Sequence, residues 1–376
     1  MQIYIHIPFC ERKCNYCDFL SFPADDHVRE MYVNALIREI RGRAQYVARG
    51  DKITTIYFGG GTPSVLSAKQ LGDILFTIVQ EYPLEPDAEI TIEVNPRSAD
   101  TGKLHFLKGN GFNRLSIGMQ STHRSELEML GRIHTYDDFL RCYTDARRIG
   151  FSNVSVDVMT AIPGQTEQML EATMNRVIEL DPEHVSTYSL TIERGTPFYE
   201  QFGDIEGPVI GEDAERRLYW MTVDMLKDKG YKHYEISNFA KPGFESRHNT
   251  GYWKRKHYLG MGLGASSCLP TAGGDERSRN TTNMETYLAD PLTREESGVL
   301  SRNDMIEETM YLGLRMMDGV DTDDFEQKFG VTVRSLYADV IDDLAAQGLI
   351  YEGSSSLSLT DLGIDYGNHV FAKFLK

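Results

Sequence analysis

Strand-like and helix-like segments alternate along the first two-thirds of the chain. Gln2–Ile7 places Ile3, Ile5 and Ile7 between polar residues, and this two-residue period is typical of a half-buried strand. Amphipathic stretches with helical periodicity stand between further strand-like runs. The predicted strands after the first are 53–58, 88–94, 114–119, 153–159 and 184–190. The predicted helices are 27–46, 67–82, 101–108, 135–149 and 167–180.

Six strand–helix repeats predict an α/β protein with a parallel sheet, because right-handed crossover helices join parallel neighbours. We expect this sheet to curl into a partial (β/α)6 barrel, and an open doubly wound sheet fits the same pattern. The alternation stops after residue 194. A helix is predicted at 212–229, loops and short strands at 243–268, and an exposed polar segment at 273–283.

A different pattern begins near residue 302, with helices predicted at 304–317, 323–329 and 335–347 and a hairpin at 349–359. Helices followed by a hairpin indicate a C-terminal helical, winged-helix-like domain. Its many aspartates favour packing against protein rather than DNA. The chain is therefore expected to comprise a barrel (1–230), a barrel extension (231–300) and this C-terminal domain (301–376).

The composition excludes several classes of function. The 376 residues carry a net charge of −17, whereas a nucleic-acid-binding protein needs a basic face. No apolar run reaches the ~18 residues of a membrane span. The first ten residues lack the basic start and long apolar stretch of a signal peptide. We therefore expect a cytoplasmic protein.

Three of the five cysteines fall within eight residues, as Cys10-x3-Cys14-x2-Cys17, directly after the first predicted strand. Thiolates at this density suit an iron–sulfur cluster or zinc. A [4Fe–4S] cluster has four irons, so three thiolates leave one iron open for a ligand. The alternatives are a zinc site completed by His6 or His27, and three unrelated buried thiols. The remaining two cysteines are isolated and are predicted to be buried.

Polar residues and glycines follow the other predicted strands. Residues 59–63 read Gly-Gly-Gly-Thr-Pro, and such glycines let a backbone approach a ligand closely, although a plain tight turn also explains them. Each polar residue, taken singly, also fits a surface or helix-capping role. Together they form the mixed lining that a ligand with an amine, a carboxylate and a ribose needs. These residues are Glu93, Gln120, Arg132 and Asp157.

The motif Tyr4-x-His6-Ile-Pro-Phe-Cys10-x3-Cys14-Asn-Tyr-Cys17, followed by Gly-Gly-Gly-Thr-Pro, resembles the radical S-adenosylmethionine (SAM) superfamily, in the branch of HemN and HemW. The resemblance covers nearly the whole chain. It implies that the three cysteines ligate a [4Fe–4S] cluster and that SAM chelates the open iron. An electron from a reductant such as flavodoxin or ferredoxin would then yield a 5′-deoxyadenosyl radical. The implied SAM pocket is Tyr4, Tyr16, Gly60, Gly61, Thr62, Glu93, Gln120, Arg132 and Asp157.

Two departures separate this chain from the coproporphyrinogen III dehydrogenases of the HemN type. The cysteine motif of those enzymes resembles Cys-x3-Cys-x2-Cys-x-Cys. Phe19 occupies the position of the fourth cysteine in this chain. They also carry a substantial N-terminal extension, which we expect to be missing because the first cysteine stands at residue 10. Both departures argue against oxidative decarboxylation of a porphyrinogen.

The segment His248-Asn249-Thr250-Gly251-Tyr252-Trp253 matches the His-Asn-x-x-Tyr-Trp motif of the HemW family. That resemblance implies haem as cargo, delivery to acceptor haemoproteins, and His248 as a candidate haem ligand. The basic run 254–257 could pair with haem propionates. The alternative is a structural motif, with His248 hydrogen-bonded in a core and the basic run solvated.

We therefore interpret the chain as a haem chaperone of the HemW type. An oxygen-independent coproporphyrinogen III dehydrogenase, or another tetrapyrrole-modifying enzyme, is the first alternative, and a zinc-stapled binding protein is the second. A homodimer and peripheral membrane contact are both compatible with the sequence.

Overall fold

The computed structural model describes residues 1–47, 50–203 and 207–375. Its strands are β1 (Gln2–Ile7), β2 (Ile53–Gly60), β3 (Leu84–Val94), β4 (Arg114–Gln120), β5 (Val154–Thr160), β6 (His184–Ser189), β7 (Lys232–Glu235), β8 (Asn238–Ala240), β9 (Tyr258–Met261), β10 (Ser266–Thr271), β11 (Gly274–Asn280), β12 (Arg294–Val299), β13 (Val320–Asp321), β14 (Ile350–Glu352) and β15 (Ser356–Leu359).

The helices are α1 (Asp26–Arg43), α2 (Ala68–Glu81), α3 (Thr101–Gly109), α4 (Arg124–Met129), α5 (Tyr136–Ile149), α6 (Glu167–Leu180), α7 (Pro197–Phe202), α8 (Glu212–Lys227), α9 (Arg247–Trp253), α10 (Met284–Ala289), α11 (Arg302–Gly313), α12 (Thr322–Phe329), α13 (Val333–Ala346), α14 (Asp361–Asp365) and α15 (Gly367–Ala372). Short 3₁₀ turns follow α1 and β2.

The first twelve strands form one sheet in the order β12-β11-β10-β9-β1-β2-β3-β4-β5-β6-β8-β7. Strands β1 to β6 pair in parallel with their neighbours in the chain. A doubly wound sheet reverses its strand order at a switch point, so this sequential order excludes that alternative. The predicted radical SAM partial (β/α)6 barrel is confirmed.

The alternation in β1 shows how the sequence places polar groups inside the barrel. Ile3, Ile5 and Ile7 are fully buried in the main core, which also contains residues of α1 and α2. Successive side chains of a strand point to opposite faces, so Gln2 and Tyr4 face the barrel interior. The apolar positions thus hold the helices on the outside, and the interior is left to polar side chains.

The region after residue 230 extends the barrel at both edges. Strand β8 pairs antiparallel with β6, and β9 pairs in parallel with β1. The segment 273–283 was predicted as exposed and polar, and this is wrong, because it contains β11 between β10 and β12. The loops predicted at 243–268 contain the helix α9. Polar residues here are satisfied inside the fold instead of by solvent.

The C-terminal part contains α11 to α15 and a small sheet in the order β13-β15-β14. A separate core cluster, from Ile306 to Phe374, holds these elements together. The predicted helices and hairpin are present, which confirms the helical, winged-helix-like character of this part. Buried ion pairs join it to the barrel: Arg255 contacts Glu308 of α11 and Asp275 of β11.

None of the helices in the described ranges is both long and apolar enough to cross a bilayer. The division into parts 1–230, 231–300 and 301–376 stays a prediction.

Candidate functional site

A cavity of about 450 Å³ opens at the carboxyl end of the barrel strands, where parallel barrels carry their functional groups. Cys10, Cys14 and Cys17 all line it. The segment that carries them is closed by a backbone hydrogen bond from Cys10 N to Phe22 O (3.2 Å). It is held to the loops after β2 and α4 by bonds from Thr62 N to Phe9 O (2.8 Å) and from Asn15 N to Leu130 O (3.0 Å). This placement agrees with the prediction that the three cysteines lie together at the carboxyl end of the first strand.

The glycines after β2 allow the chain to pass directly against the cysteine segment. Gly60 has a φ of 111°, and a Cβ there would lie 2.6 Å from the ring of His6. A Cβ on Gly61 would lie 2.7 Å from the carbonyl oxygen of Phe9 and 3.1 Å from Sγ of Cys10. The hydroxyl of Thr62 is 3.5 Å from the same sulfur. This close approach explains the glycines better than a plain tight turn does.

Two acidic groups face the cavity from β3 and β5. Glu93 accepts a hydrogen bond from the hydroxyl of Tyr57 at 2.9 Å, and Asp157 accepts one from Ser116 at 3.0 Å. Burial raises the pKa of Glu93 to about 7, although the Tyr57 hydroxyl partly offsets the effect. Burial also raises the pKa of Asp157, and Ser116 opposes this shift. Both carboxyls are therefore held where a cationic ligand group would stabilise their charged forms.

Gln120, at the end of β4 between β3 and β5, and Arg132 also line the cavity. Arg132 donates a hydrogen bond to the hydroxyl of Tyr16 at 2.7 Å, and its Nε is buried without a partner. Gln120 adopts a φ of 67°, in the left-handed region that non-glycine residues rarely occupy, beside a bulge in β4. Arg132 lies in the loop after α4.

Tyr4 is the one residue of the predicted SAM pocket that does not line this cavity. Its hydroxyl is 3.1 Å from Nδ1 of His6, and Nε2 of His6 is 2.9 Å from the carbonyl oxygen of Leu20. Tyr4 therefore lies one layer behind the cavity wall. Since His6 uses both ring nitrogens to hold the strand and the cysteine segment together, neither is free to complete a zinc site in this conformation.

His248 lies inside the barrel, away from the cavity mouth. Its Nδ1 is 2.7 Å from Thr55 Oγ1 and its Nε2 is 3.1 Å from the Tyr252 hydroxyl, and the ring stacks on Tyr57. Burial lowers the pKa of His248 to about 3, and the charge of Arg114 acts in the same direction. Neither ring nitrogen is free to ligate iron in this conformation, so haem ligation by His248 stays a prediction that needs a rearrangement.

The basic run after His248 is only partly exposed. Arg255 is bound by Asp275 and Glu308, and Nε2 of His257 lies 2.8 Å from Asp275. These two side chains are therefore committed to the junction with α11. Pairing of the run 254–257 with haem propionates stays a prediction, and Arg255 and His257 already have carboxylate partners in this structure.

The cysteines fit a cluster better than a single ion. In residues 1–47, 50–203 and 207–375, no three His, Cys, Asp or Glu side chains converge as the ligands of one metal ion would. The thiolates of a [4Fe–4S] cube bind three different irons, so they do not need to converge on a point. The soft thiolate donors and the glycines packed against Cys10 suit such a group. Cys142 and Cys268 are buried elsewhere, as predicted.

Comparisons with known proteins agree with the motifs found in the sequence. The profile of the Radical SAM superfamily matches residues 4–177, and that of the HemN C-terminal domain matches residues 300–366. The haem chaperone HemW of Lactococcus lactis subsp. lactis (strain IL1403) is 38% identical over 99% of this chain and 96% of that protein. The chain belongs to the HemW family of the radical SAM superfamily. The HemW of Bacillus subtilis (strain 168) is also 38% identical, over 99% of this chain and 98% of that protein.

A solved structure supports the same fold for this member of the HemW family. The coproporphyrinogen III oxidase (HemN) from Escherichia coli, described as a radical SAM enzyme, matches with a TM-score of 0.86 at 25% identity. The match covers 99% of this chain and 89% of that chain. The family resemblance inferred from the cysteine and glycine motifs is confirmed.

Several residues that line the cavity of this HemW-family protein were not singled out by the sequence patterns. Their side chains lie at inward-facing positions of β2, β4 and β6, or on α9. A two-residue alternation of polar positions, read through each strand instead of at its end, could have identified most of them. These residues are Tyr57, Arg114, Ser116, Tyr188 and Asn249.

Proposed function

We propose that this protein is a cytoplasmic haem chaperone, which binds haem and transfers it to acceptor haemoproteins. The proposal is carried by the similarity to relatives named haem chaperone HemW, at 38% identity along nearly the whole of both chains. The motif that the dehydrogenases resemble has a fourth cysteine at the position of Phe19. Because this chain has phenylalanine there, the chaperone is favoured over the enzyme.

We further propose that Cys10, Cys14 and Cys17 hold a [4Fe–4S] cluster and that SAM binds beside it. SAM at such a cluster supplies reductive cleavage chemistry when an electron donor of the flavodoxin or ferredoxin type is present. The chain binds and orients the cofactor with groups of both charges, since the carboxyls of Glu93 and Asp157 suit its cationic parts and Arg132 suits its carboxylate. The remaining proposed contacts are Tyr16, Gly60, Gly61, Thr62 and Gln120, with Tyr4 supporting them from behind.

Haem titration and transfer test the proposed chaperone function. The full chain, reconstituted anaerobically, is titrated with haem, and an apo-cytochrome of the b type is then added as the acceptor. We expect a saturable Soret band that changes to the spectrum of the holo-cytochrome on transfer, while the total haem content is unchanged. Absence of saturable binding in the wild-type protein would refute the proposal.

The fold similarity to HemN favours one alternative, a coproporphyrinogen III dehydrogenase. The same reconstituted protein is incubated with SAM, a reductant and coproporphyrinogen III. The chaperone proposal expects no protoporphyrinogen. Formation of protoporphyrinogen together with failure of haem transfer would establish the enzyme instead.

The role of His248 in haem binding needs a pair of variants. His248→Ala removes the imidazole, whereas Thr55→Val removes its 2.7 Å partner and keeps the ring. If His248 ligates haem, only the first variant shifts the Soret band. Equal spectra for both variants and the wild type would assign His248 a structural role.

A further inference from the structure

Arg114 places a charged group inside the barrel, near Asp157 but without an ion pair to it. The residue is 2% exposed, and its Nε is buried with no hydrogen bond. Across the described ranges, no ion pair or hydrogen bond to its guanidinium is formed. An isolated charge removed from water is strongly destabilising unless a counter-charge or ordered water satisfies it. This arginine therefore marks a place that an anionic group can occupy.

The position of Arg114 separates it from the residues proposed for SAM. Arg114 begins β4 and Gln120 ends it, so the backbone of Arg114 lies at the end of the barrel opposite the cysteines. Its side chain nevertheless lines the same cavity. The guanidinium therefore lies deeper in the barrel than Cys10, Cys14 and Cys17.

Two carboxylates of the barrel, Glu89 and Asp157, accept hydrogen bonds from other groups instead of pairing with Arg114. Glu89 accepts hydrogen bonds from the backbone nitrogens of Arg247 and His248 at 3.1 and 3.2 Å, and Asp157 accepts one from Ser116. Burial raises the pKa of Asp157, and the charge of Arg114 offsets part of this shift without an ion pair between the two residues. The positive charge is thus left available for a ligand.

Asn249 adds a second uncommitted group at this place. It follows His248, whose pKa is lowered by burial and by the nearby charge of Arg114. Its backbone nitrogen bonds to the hydroxyl of Ser246, while its side chain lines the cavity and makes no hydrogen bond to any described residue. A guanidinium and an amide are the donors that bind a carboxylate.

We propose that the inner end of the cavity is a carboxylate-binding subsite formed by Arg114 and Asn249. The ligand is a slender carboxylate-bearing group, because it must pass Cys10, Cys14 and Cys17 to reach Arg114. It comes either from a small free carboxylate or from a propionate arm of haem. The second source rests on the proposed haem-binding function, and the first does not.

Two titrations of the anaerobically reconstituted full chain separate these sources. Propionate is compared with the uncharged propionamide by calorimetry, and haem is compared with haem dimethyl ester by absorbance. The subsite predicts saturable binding of propionate but not of propionamide. If the haem propionate is the natural source, haem also binds at least about tenfold more tightly than its ester, the effect of one charge-assisted contact.

The variant Arg114→Met is expected to lose propionate binding and, with it, any preference for haem over the ester. The matched control is Arg124→Met, whose exposed side chain pairs only with Glu128 on the surface of α4. SAM affinity is expected to remain unchanged in both. A tenfold loss of SAM affinity in Arg114→Met, or propionate binding that survives the substitution, would overturn the subsite.

A second pair of measurements covers the case in which Arg114→Met does not fold. Arg114→Lys keeps the charge, and Asn249→Asp adds a negative charge without a change in size. We expect Asn249→Asp to weaken propionate binding about tenfold, and unchanged binding there would contradict the proposal. If the wild-type protein binds propionate but not haem, the subsite stands and the proposed chaperone function fails.

Discussion

The hydroxyl of Thr55 on β2 lies 2.7 Å from Nδ1 of His248 on α9, and these residues are 193 positions apart in the chain. This contact fixes α9 inside the barrel. Gln2 adds a second connection, because its side-chain nitrogen is 2.9 Å from the carbonyl oxygen of His248. The His-Asn-x-x-Tyr-Trp motif is therefore part of the barrel core in this structure.

His248→Gln is expected to flatten the dependence of stability on pH. Burial holds the pKa of His248 at about 3, below its ordinary value of 6.5, so the unfolded chain takes up a proton that the folded chain does not. Stability therefore falls as the pH decreases below 6.5, by about 1.4 kcal/mol per pH unit for this proton. Urea denaturation between pH 6 and 4, below the unfolded pKa and above the folded one, should show a slope smaller by nearly that amount in the variant.

The control for this measurement is His27→Gln, because His27 is exposed on α1. We expect this surface substitution to leave the stability at pH 7.5 within about 0.5 kcal/mol of the wild type. At pH 7.5 the His248 variant should also be less stable by about 1–3 kcal/mol, since it leaves buried partners unsatisfied. An unaltered slope in His248→Gln would show that the imidazole is accessible to protons in the folded protein.

Cys10→Ala is expected to abolish assembly of the proposed cluster, because each of the three thiolates would hold a separate iron. The measurement is iron and sulfide content, with absorbance near 400 nm, after anaerobic reconstitution. Cys142→Ala is the matched control, since this buried thiol lies on α5 away from the cavity. Full iron and sulfide content in Cys10→Ala would remove it from the ligand set.

Gly61→Ala is expected to push the cysteine segment away from β2. The added Cβ would lie 2.7 Å from the carbonyl oxygen of Phe9, so one of the two backbones must move, at about 1–3 kcal/mol. Thermal unfolding and SAM titration should both report the loss. Gly109→Ala at the end of α3 is the control, because its Cβ meets no atom within 4 Å. Equal SAM affinity in the two variants would contradict the close packing.

Glu93→Gln is expected to weaken SAM binding while it stabilises the protein at high pH. Burial raises the pKa of Glu93 to about 7 from an ordinary value of 4.5, so the folded state resists ionisation and loses stability as the pH rises through this interval. At pH 8 the variant should be more stable by about 1–2 kcal/mol, a figure reduced for water in the cavity.

Measurement at low pH provides the internal control for Glu93→Gln. Near pH 4.5 the carboxyl is protonated in the folded state and half protonated in the unfolded state, so the stability difference should shrink. SAM affinity at pH 8 should fall about tenfold, because the variant cannot pair with a cationic group of the ligand. A variant that is less stable at pH 8 than at pH 4.5, relative to the wild type, would reverse the assigned direction.

The first six strands could be predicted from the sequence because the residues that determine them are close together in the chain. Apolar residues alternate in β1, and polar N-caps such as Ser67, Thr135 and Thr166 mark where helices begin. The grouping of Cys10, Cys14 and Cys17 was also predictable, since they lie within eight residues of one another and directly follow a strand.

The parts that sequence patterns did not reveal depend on distant partners. The charged residues of β11 resemble an exposed loop, but Arg277 pairs with Glu308, which lies 31 positions away. Arg114 and Asn249 line the same cavity only because α9 enters the barrel. A pattern of hydrophobicity reports whether a residue is polar, and it does not report which distant group satisfies that polarity.

The pairing of β1 with β9 sets an order of events during synthesis on the ribosome. One edge of β1 stays without its neighbour until Tyr258–Met261 has left the exit tunnel. Until then the nascent barrel exposes a free strand edge, which can pair with other chains. A translational pause before residue 258 would therefore prolong the most aggregation-prone stage in the life of this protein.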